Sequence, residues 1–436
     1  MAGYLERSIA APRARFGTSE IRFVHQLAHK AAVSYTLLLL FFVVVYSNIG
    51  VLIPALGEIG PAQVVAGLAV FLLFIEKVLA RQDVDLVWPE SHLAIAFLWA
   101  AGLSCFLATW PKYSVEALMD VAKFTVIYFL IVNVVNHERR VRGIMWTMIL
   151  AGLIPTVMSL RNYAHGIMHE DRVHWVGIFA NSNDLAYSLV ILVPLAAVLS
   201  FELRPRWRPL VWLIIAAYFA TIFVTYSRGG MIGLFAVLAM FGMRQRTRFI
   251  RLATVGVIVG GVIFLGYFWH RSQGFADLSS DATVNERLVT IRAGLAMFFD
   301  RPLLGVGIGG SVAAFPQYVP PELGFNKALV THNTAVQALS ETGIIGFTLF
   351  ALFIGMALYD ARQMTKTCAL QGYPGLARLA LALEVSLWGF VVCGISGGYV
   401  LSWFPFILVA LISAVKKLSV KNLQRAAQHG GTGRRG

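Results

Sequence analysis

Long apolar segments alternate with short polar ones along almost the whole chain. A helix that crosses the hydrocarbon core of a membrane needs about 20 mainly apolar residues. Twelve stretches reach this length or fall slightly short of it, at residues 33–54, 62–80, 92–109, 115–135, 143–160, 184–201, 209–226, 230–243, 252–269, 334–358, 376–396 and 400–415. The pattern therefore predicts an all-α polytopic membrane protein with about twelve transmembrane helices.

The composition agrees with this pattern. Charged residues make up 13% of the 436 residues, whereas a soluble domain has about 25%. The apolar run after the polar first 30 residues is too long for the core of a signal peptide. Cys105, Cys368 and Cys393 have no paired spacing, so neither a disulfide framework nor a thiolate metal site is indicated. We expect a single integral membrane domain over residues 1–436.

The distribution of lysine and arginine predicts the orientation of the helices. Cytoplasmic loops of membrane proteins hold an excess of both residues. Clusters occur at 136–142, 202–209 and 243–251 and in a tail at 416–436, and the tail at 1–30 is also basic. We therefore predict that both tails are cytoplasmic. The net charge of +14 is then mainly a topology signal, and nucleic-acid binding, which needs one basic face on a recognisable fold, is not expected.

Two external loops are long enough to have a function of their own, at residues 161–183 and 270–333. Within the second, residues 284–300 have apolar positions at a helical period, which predicts an amphipathic helix along the membrane surface. The sequence RPLLGVGIGG follows, and its glycines allow tight turns close to a ligand. Their spacing does not match a dinucleotide-binding fingerprint.

Several polar residues of the external face are candidates for chemistry, and each also has a structural interpretation. Arg228 in TYSRGGMIG either extends to the membrane interface or holds an anion together with the N–H groups of a helix start. Arg287 and Arg292 either form the solvated face of the loop helix or hold a pyrophosphate without a metal. His332 is a buried structural histidine, a proton relay of a transporter or a general base. Asn333 could cap the next helix.

A metal site is not expected on this face. His165, His169, His174 and Asp171 lie in the first external loop, but their spacing does not match a tetrahedral ligand pattern.

Four stretches occur in a fixed order: GIFANSNDLAYSL (177–189), SRGG (227–230), NERLVTIRAGLAMFFDRPLLGVGIGG (285–310) and THNTAVQALSETGIIG (331–346). Together they resemble the O-antigen ligase and O-antigen polymerase superfamily, bacterial inner-membrane glycosyltransferases that use polyprenyl-diphosphate-linked glycans. The resemblance implies a twelve-helix fold of the lipid-linked-sugar type with a long periplasmic loop. The family's functional arginines fall on Arg228 and Arg287, and its histidine falls on His332. This chain departs from the family at Ile291, where an aromatic residue is usual.

The resemblance implies a metal-independent, inverting glycosyltransferase without a cofactor, acting as an O-antigen ligase or polysaccharide polymerase. Its donor would be a polyprenyl-diphosphate-linked glycan, and its acceptor a hydroxyl of the lipid A core or of another glycan. His332, Arg287 and Arg228 are the predicted catalytic residues. The predicted substrate-binding residues are Arg292, Asn333, Asn181 and Asn183.

Two alternative functions stay open at the level of sequence. One is a protein O-oligosaccharyltransferase, since the sequence does not name the acceptor. The other is a transporter or flippase of polysaccharide precursors. A transporter should have internal repeats and ionisable residues near the middle of its spans. We find no convincing repeat, and the polar groups gather on one face, which favours an enzyme.

Overall fold

The computed structural model describes residues 32–168, 171–244, 248–268, 282–319 and 329–432, and this part of the chain is helical without a β-strand. The described residues contain thirteen helices of at least 16 residues, which we number in chain order. They are α1 (Ala32–Ser47), α2 (Pro61–Ala80), α3 (Glu90–Phe106), α4 (Pro111–Val134), α5 (Glu138–Ala164), α6 (Ser182–Glu202), α7 (Arg208–Val224), α8 (Arg228–Met243), α9 (Arg248–Phe268), α10 (Ala282–Asp300), α11 (Thr334–Leu370), α12 (Pro374–Gly394) and α13 (Trp403–Thr432).

Each of the twelve predicted apolar stretches overlaps one of these helices, and α10 is the helix expected within the second external loop. By length and composition, seven helical segments of the described chain are able to cross a membrane: Pro61–Ala80, Glu138–Ala164, Ser182–Glu202, Pro205–Val224, Thr334–Leu370, Pro374–Gly394 and Trp403–Arg425. The chain is therefore a multi-pass membrane protein. A total of twelve spans stays a prediction. The N-terminal tail at 1–30 lies outside the described residues.

Helix α6 is at the centre of the bundle. In the most apolar part of α6, 89% of the residues are buried in the protein, whereas the corresponding share for α2 is 6%. Helices α5, α7, α8 and α12 pack around α6. A helix that is apolar on all sides must be covered by apolar surroundings. For α6 these are the neighbouring helices, and for α2 they are mostly lipid. Helix α2 lies at the edge of the bundle, because it packs mainly on α1.

Several helix ends differ from the predicted boundaries. Helix α1 ends at Ser47 because Asn48 adopts a left-handed conformation with φ 47°. Helices α11 and α13 extend to Leu370 and Thr432, although the apolar runs end near residues 358 and 415. The polar residues that follow these runs are mostly good helix formers, so the helix continues beyond the apolar part.

The bundle has two chemically different ends. At the first, which we call the basic end, Arg142 binds Glu202 at 2.6 Å and Lys417 binds Asp85 at 3.1 Å. At the opposite end, α6, α8 and α11 begin and α12 terminates. We call this opposite end the site end, because it contains the predicted site residues.

Candidate functional site

A buried amide joins two segments of the chain at the site end. Asn183, near the start of α6, accepts hydrogen bonds at Oδ1 from Nη2 of Arg172 at 2.6 Å and from Oγ of Ser227 at 2.7 Å. Arg172 also donates from Nε to the carbonyl of Thr225 at 2.9 Å. The first external loop is thereby fixed against the turn that precedes α8.

Arg228 is the first residue of α8. Ser227 caps this helix, because its hydroxyl accepts a hydrogen bond from the N–H of Gly230 at 3.1 Å. Gly229 lies against the hydroxyl groups of Tyr187 and Ser396, where a Cβ would clash. The cap and this close contact fix the start of α8, so the half-buried Arg228 stands at a helix N-terminus, where the macrodipole favours an anion.

His332 precedes the start of α11 and is half-buried. Asn333 caps the helix by accepting from the N–H of Val336 at 3.0 Å. The neighbouring Thr334 donates to the carbonyl of Gly397 at 2.7 Å, which ties this start to the segment after α12.

The surroundings of His332 lower its pKa. Burial is the largest cause, and the positive charges of Arg287 and then Arg172 add to it. The imidazole is therefore neutral at pH 7, the form in which a ring nitrogen can accept a proton. These contributions also mean that both guanidinium groups lie near the ring.

Helix α10 brings Arg287 to this group and turns Arg292 away from it. Arg287 is half-buried, and its Nε is buried without a hydrogen-bond partner in the described chain. Arg292 is exposed. The helix packs closely on α11, with Gly294 against Val336 and Thr331. A buried guanidinium N–H without a partner is unusual and would be satisfied by an anionic ligand.

The three asparagines predicted to bind substrate all have structural hydrogen bonds. Asn181 caps α6 by accepting from the N–H of Asn183 at 2.8 Å. Asn183 bonds to Arg172 and Ser227, as described above, and Asn333 donates from Nδ2 to the carbonyl of Ile395 at 3.1 Å. These bonds position Arg172, Arg228 and His332. A direct role of the asparagines in substrate binding stays a prediction.

The glycine run of the second loop packs against α11 and α4. Gly305, Gly307 and Gly309 have φ values of 68°, 105° and 70°, a region that favours glycine. At Gly305 a Cβ would clash with the backbone of residues 340–342. Helix α11 is itself interrupted at Gly343, with φ 62° and ψ −166°. Gly307 lies against Ala108 and Ser114, and Gly309 lies against Ala117. The close approach that the glycines permit is thus to other parts of the protein itself.

Sequence reasoning missed Asp184 and Tyr399. The Tyr399 hydroxyl donates to Asp184 at 2.6 Å, and the N–H of Tyr399 donates to Thr334 Oγ1 at 3.1 Å. The two residues line a mainly apolar cavity of about 840 Å³, between α1, α2, α4 and residues 398–404. Asp184 could have been noticed as an acid at the start of an apolar span, but nothing in the sequence singles out Tyr399. Arg172 is one of the arginines that the sequence places on the external face, but it was not predicted as a site residue.

Among the described residues, no group of three or more histidine, cysteine or acidic side chains has the geometry to hold a metal. Of the histidines considered for such a site, His165 directs Nδ1 to the carbonyl of Arg161 and His174 to that of Trp175, both at 2.8 Å. His169 lies outside the described residues.

Residues 213–351 match a protein-family model described as O-antigen ligase. The matched region extends from α7 into α11 and contains Arg228, Arg287, Arg292 and His332. Arg172, Asn181 and Asn183 precede it. No curated protein matches the chain.

Proposed function

We propose that this chain, a member of the O-antigen ligase and polymerase superfamily over residues 213–351, transfers a glycan from a polyprenyl-diphosphate donor to an acceptor hydroxyl. The acceptor is a lipid A core sugar or another glycan. The transfer takes place at the site end, which we assign to the periplasmic face of the bacterial inner membrane. Residues 270–333 form the periplasmic loop of the single membrane domain, and both tails are cytoplasmic.

The observation that carries this proposal is the environment of His332. A neutral imidazole stands beside two guanidinium groups, those of Arg287 and Arg172. Arg287 has a buried N–H without a partner in the described chain. A base beside fixed positive charge suits attack of a hydroxyl on an anomeric carbon that bears a diphosphate, because the base takes the proton while the charge stabilises the leaving diphosphate.

The reaction then follows with balanced bonds. A ring nitrogen of His332 accepts the proton of the acceptor hydroxyl, whose oxygen forms a bond to the anomeric carbon. The bond between this carbon and the diphosphate oxygen breaks, and the electron pair leaves with the polyprenyl diphosphate. Arg287 and Arg228 hold the diphosphate and stabilise its developing charge. Attack opposite the leaving group inverts the anomeric centre. Neither a metal nor a cofactor takes part.

The apolar cavity beside the site supports a lipid-linked donor. It measures about 840 Å³, and it reaches Tyr399, whose backbone is bonded to Thr334 at the start of α11. We assign the part of the polyprenyl chain next to the diphosphate to this cavity. Ala66→Trp in its wall should therefore slow transfer, whereas Val64→Trp, at an exposed position of the same helix, should not.

The decisive experiment is reconstitution of the purified chain with a defined polyprenyl-diphosphate glycan and candidate acceptors. His332→Ala and Arg287→Ala should reduce transfer by at least about 100-fold, the typical contribution of a general base or of a charge-stabilising donor. Arg292→Ala tests the exposed arginine of the same helix, and His165→Ala is the control for an exposed histidine. Transfer at the parental rate in His332→Ala would overturn the assignment of the base.

The same preparation distinguishes the alternatives. Transfer to a protein acceptor only would identify a protein O-oligosaccharyltransferase. Movement of the labelled donor across the vesicle membrane without any transfer would identify a transporter, and the enzymatic proposal would then be wrong.

A further inference from the structure

The basic end of the bundle contains two neighbouring cavities that the proposed transfer reaction does not use. Their volumes are about 590 Å³ and about 540 Å³. Asn136, Leu418 and Lys421 line both of them. Lys421 thus borders both cavities.

The first cavity is lined by more basic than acidic residues. The basic ones are Lys77, Arg81, Arg140, Lys417 and Lys421, and the acidic ones are Glu76, Asp83 and Asp85. Asp85 accepts from Lys77 at 3.2 Å and from Lys417 at 3.1 Å, so a single carboxylate is shared by two ammonium groups. Burial alone would raise the pKa of Asp85, but these two lysines outweigh it and lower that pKa. Asp85 is therefore charged at pH 7, and the surrounding positive charge still exceeds the negative charge.

The second cavity has a larger excess of positive charge. Arg139, Arg142, Lys421 and Arg425 line it, with Glu138 as the single acidic residue. Glu138 and Glu202 bind Arg142 at 3.0 and 2.6 Å. The other three basic residues are exposed. Their side chains are therefore accessible to an anion that enters the cavity.

The cavities lie at helix ends on the basic end of the bundle. They form at the ends of α2 and α4, at the start of α5 and along α13. Helix α2 is the outermost of these, with an apolar surface exposed along most of its length. Basic pockets between helix ends at the membrane boundary are typical binding sites for anionic lipid headgroups.

We propose that the two cavities together bind one anionic phospholipid with two phosphodiester groups, of the diphosphatidylglycerol type. Each cavity takes one phosphate, and Lys421 contacts both. The acyl chains extend along the apolar surface of α2. A lipid with a single phosphate fills only one cavity, so it binds more weakly. This site is independent of the transfer reaction at the opposite end.

The test measures lipid binding to the full chain in detergent by native mass spectrometry, with diphosphatidylglycerol, phosphatidylglycerol and inorganic pyrophosphate as probes. A basic residue near a membrane surface contributes about fivefold to the affinity for anionic lipid. Lys421→Gln with Arg425→Gln should therefore weaken diphosphatidylglycerol binding about 25-fold. The matched control is Lys366→Gln with Arg248→Gln, which removes two exposed charges outside the cavities and should leave binding unchanged.

Three results would overturn the proposal. Equal weakening by both double variants would mean that binding follows net charge and not the cavities. Equal affinity for phosphatidylglycerol at the same phosphate concentration would contradict a two-phosphate site. Complete displacement of the lipid by pyrophosphate at equal concentration would identify a site for soluble anions. None of these readouts depends on glycan transfer, so failure here and failure of the proposed enzymatic function are distinguishable.

Discussion

Replacement of Glu341 by alanine should destabilise the link between the second external loop and α11. The Glu341 side chain is 1% exposed. It accepts from the N–H of Gly309 at 2.9 Å, from Oγ of Ser311 at 2.6 Å and from Nε2 of Gln337 at 3.3 Å. The loop contains α10 with Arg287, and α11 begins next to His332. This carboxylate therefore helps to fix the position of the arginine relative to the histidine.

The magnitude follows from the three donors. A buried donor without an acceptor costs about 1–3 kcal/mol. Glu341→Ala leaves three donors without their acceptor, and water that enters the new space compensates in part, so we expect a loss of about 3 kcal/mol. Ser311→Ala removes one hydrogen bond and should cost about 1 kcal/mol.

Glu341→Gln should have an intermediate effect. Gly309 and Ser311 donate to different oxygens of the carboxylate, and Gln337 donates to the same oxygen as Ser311. An amide therefore places its NH₂ group opposite the N–H of Gly309 or opposite Gln337. Either orientation loses at least one bond, so the loss should be about 1–3 kcal/mol.

The assay is thermal unfolding in detergent, combined with glycan transfer measured below the unfolding temperature. The decrease in unfolding temperature should be smallest for Ser311→Ala, intermediate for Glu341→Gln and largest for Glu341→Ala. The decrease in transfer should follow the same order. An unfolding temperature of Glu341→Ala equal to that of the parent would refute the hydrogen-bond reasoning. A large decrease in stability with full transfer activity would refute the link between this network and the site.

Two further changes test the site and the kink. Arg172→Gln removes a positive charge that lowers the pKa of His332. This pKa should therefore rise, and the acid limb of the pH profile of transfer should move to higher pH. An unchanged acid limb would contradict the assignment of His332 as the base. Gly343→Ala should cost more than about 1 kcal/mol, because φ is 62° and a Cβ would clash with the backbone of Leu303. The control is Gly355→Ala in the same helix, where a Cβ meets open space. This variant should increase the free energy of unfolding by about 0.5–1 kcal/mol. Equal unfolding temperatures of the two variants would argue against strain at residue 343.

The sequence predicted the helices well, because a run of about 20 apolar residues has few alternatives to a membrane helix. It also predicted a helix over residues 284–300, which the structure has as Ala282–Asp300. It failed at some helix ends. The left-handed turn at Asn48 and the continuation of α11 to Leu370 depend on local backbone conformation and helix propensity, which a hydropathy pattern does not record.

The types of residue in the site were also predictable, but their arrangement was not. Arg287 and Arg292 are five residues apart on one helix and are the same residue type. Only the packing of α10 on α11 decides that the charge of Arg287 acts on His332 and that Arg292 is exposed. The glycine run predicted tight turns close to a ligand, and only the fold shows that Gly305 lies against the backbone of α11 and Gly309 against Ala117 of α4.

Hydropathy, charge and short motifs thus determine which segments are helical, which residues are candidates and which superfamily the chain resembles, because each of these is a local property of the sequence. The tertiary structure decides which candidates meet. The contacts between Arg172 and Asn183, between Asp184 and Tyr399 and between Lys417 and Asp85 join residues that are 11, 215 and 332 positions apart. Such contacts depend on how the helices pack together, and no local pattern in the chain encodes them.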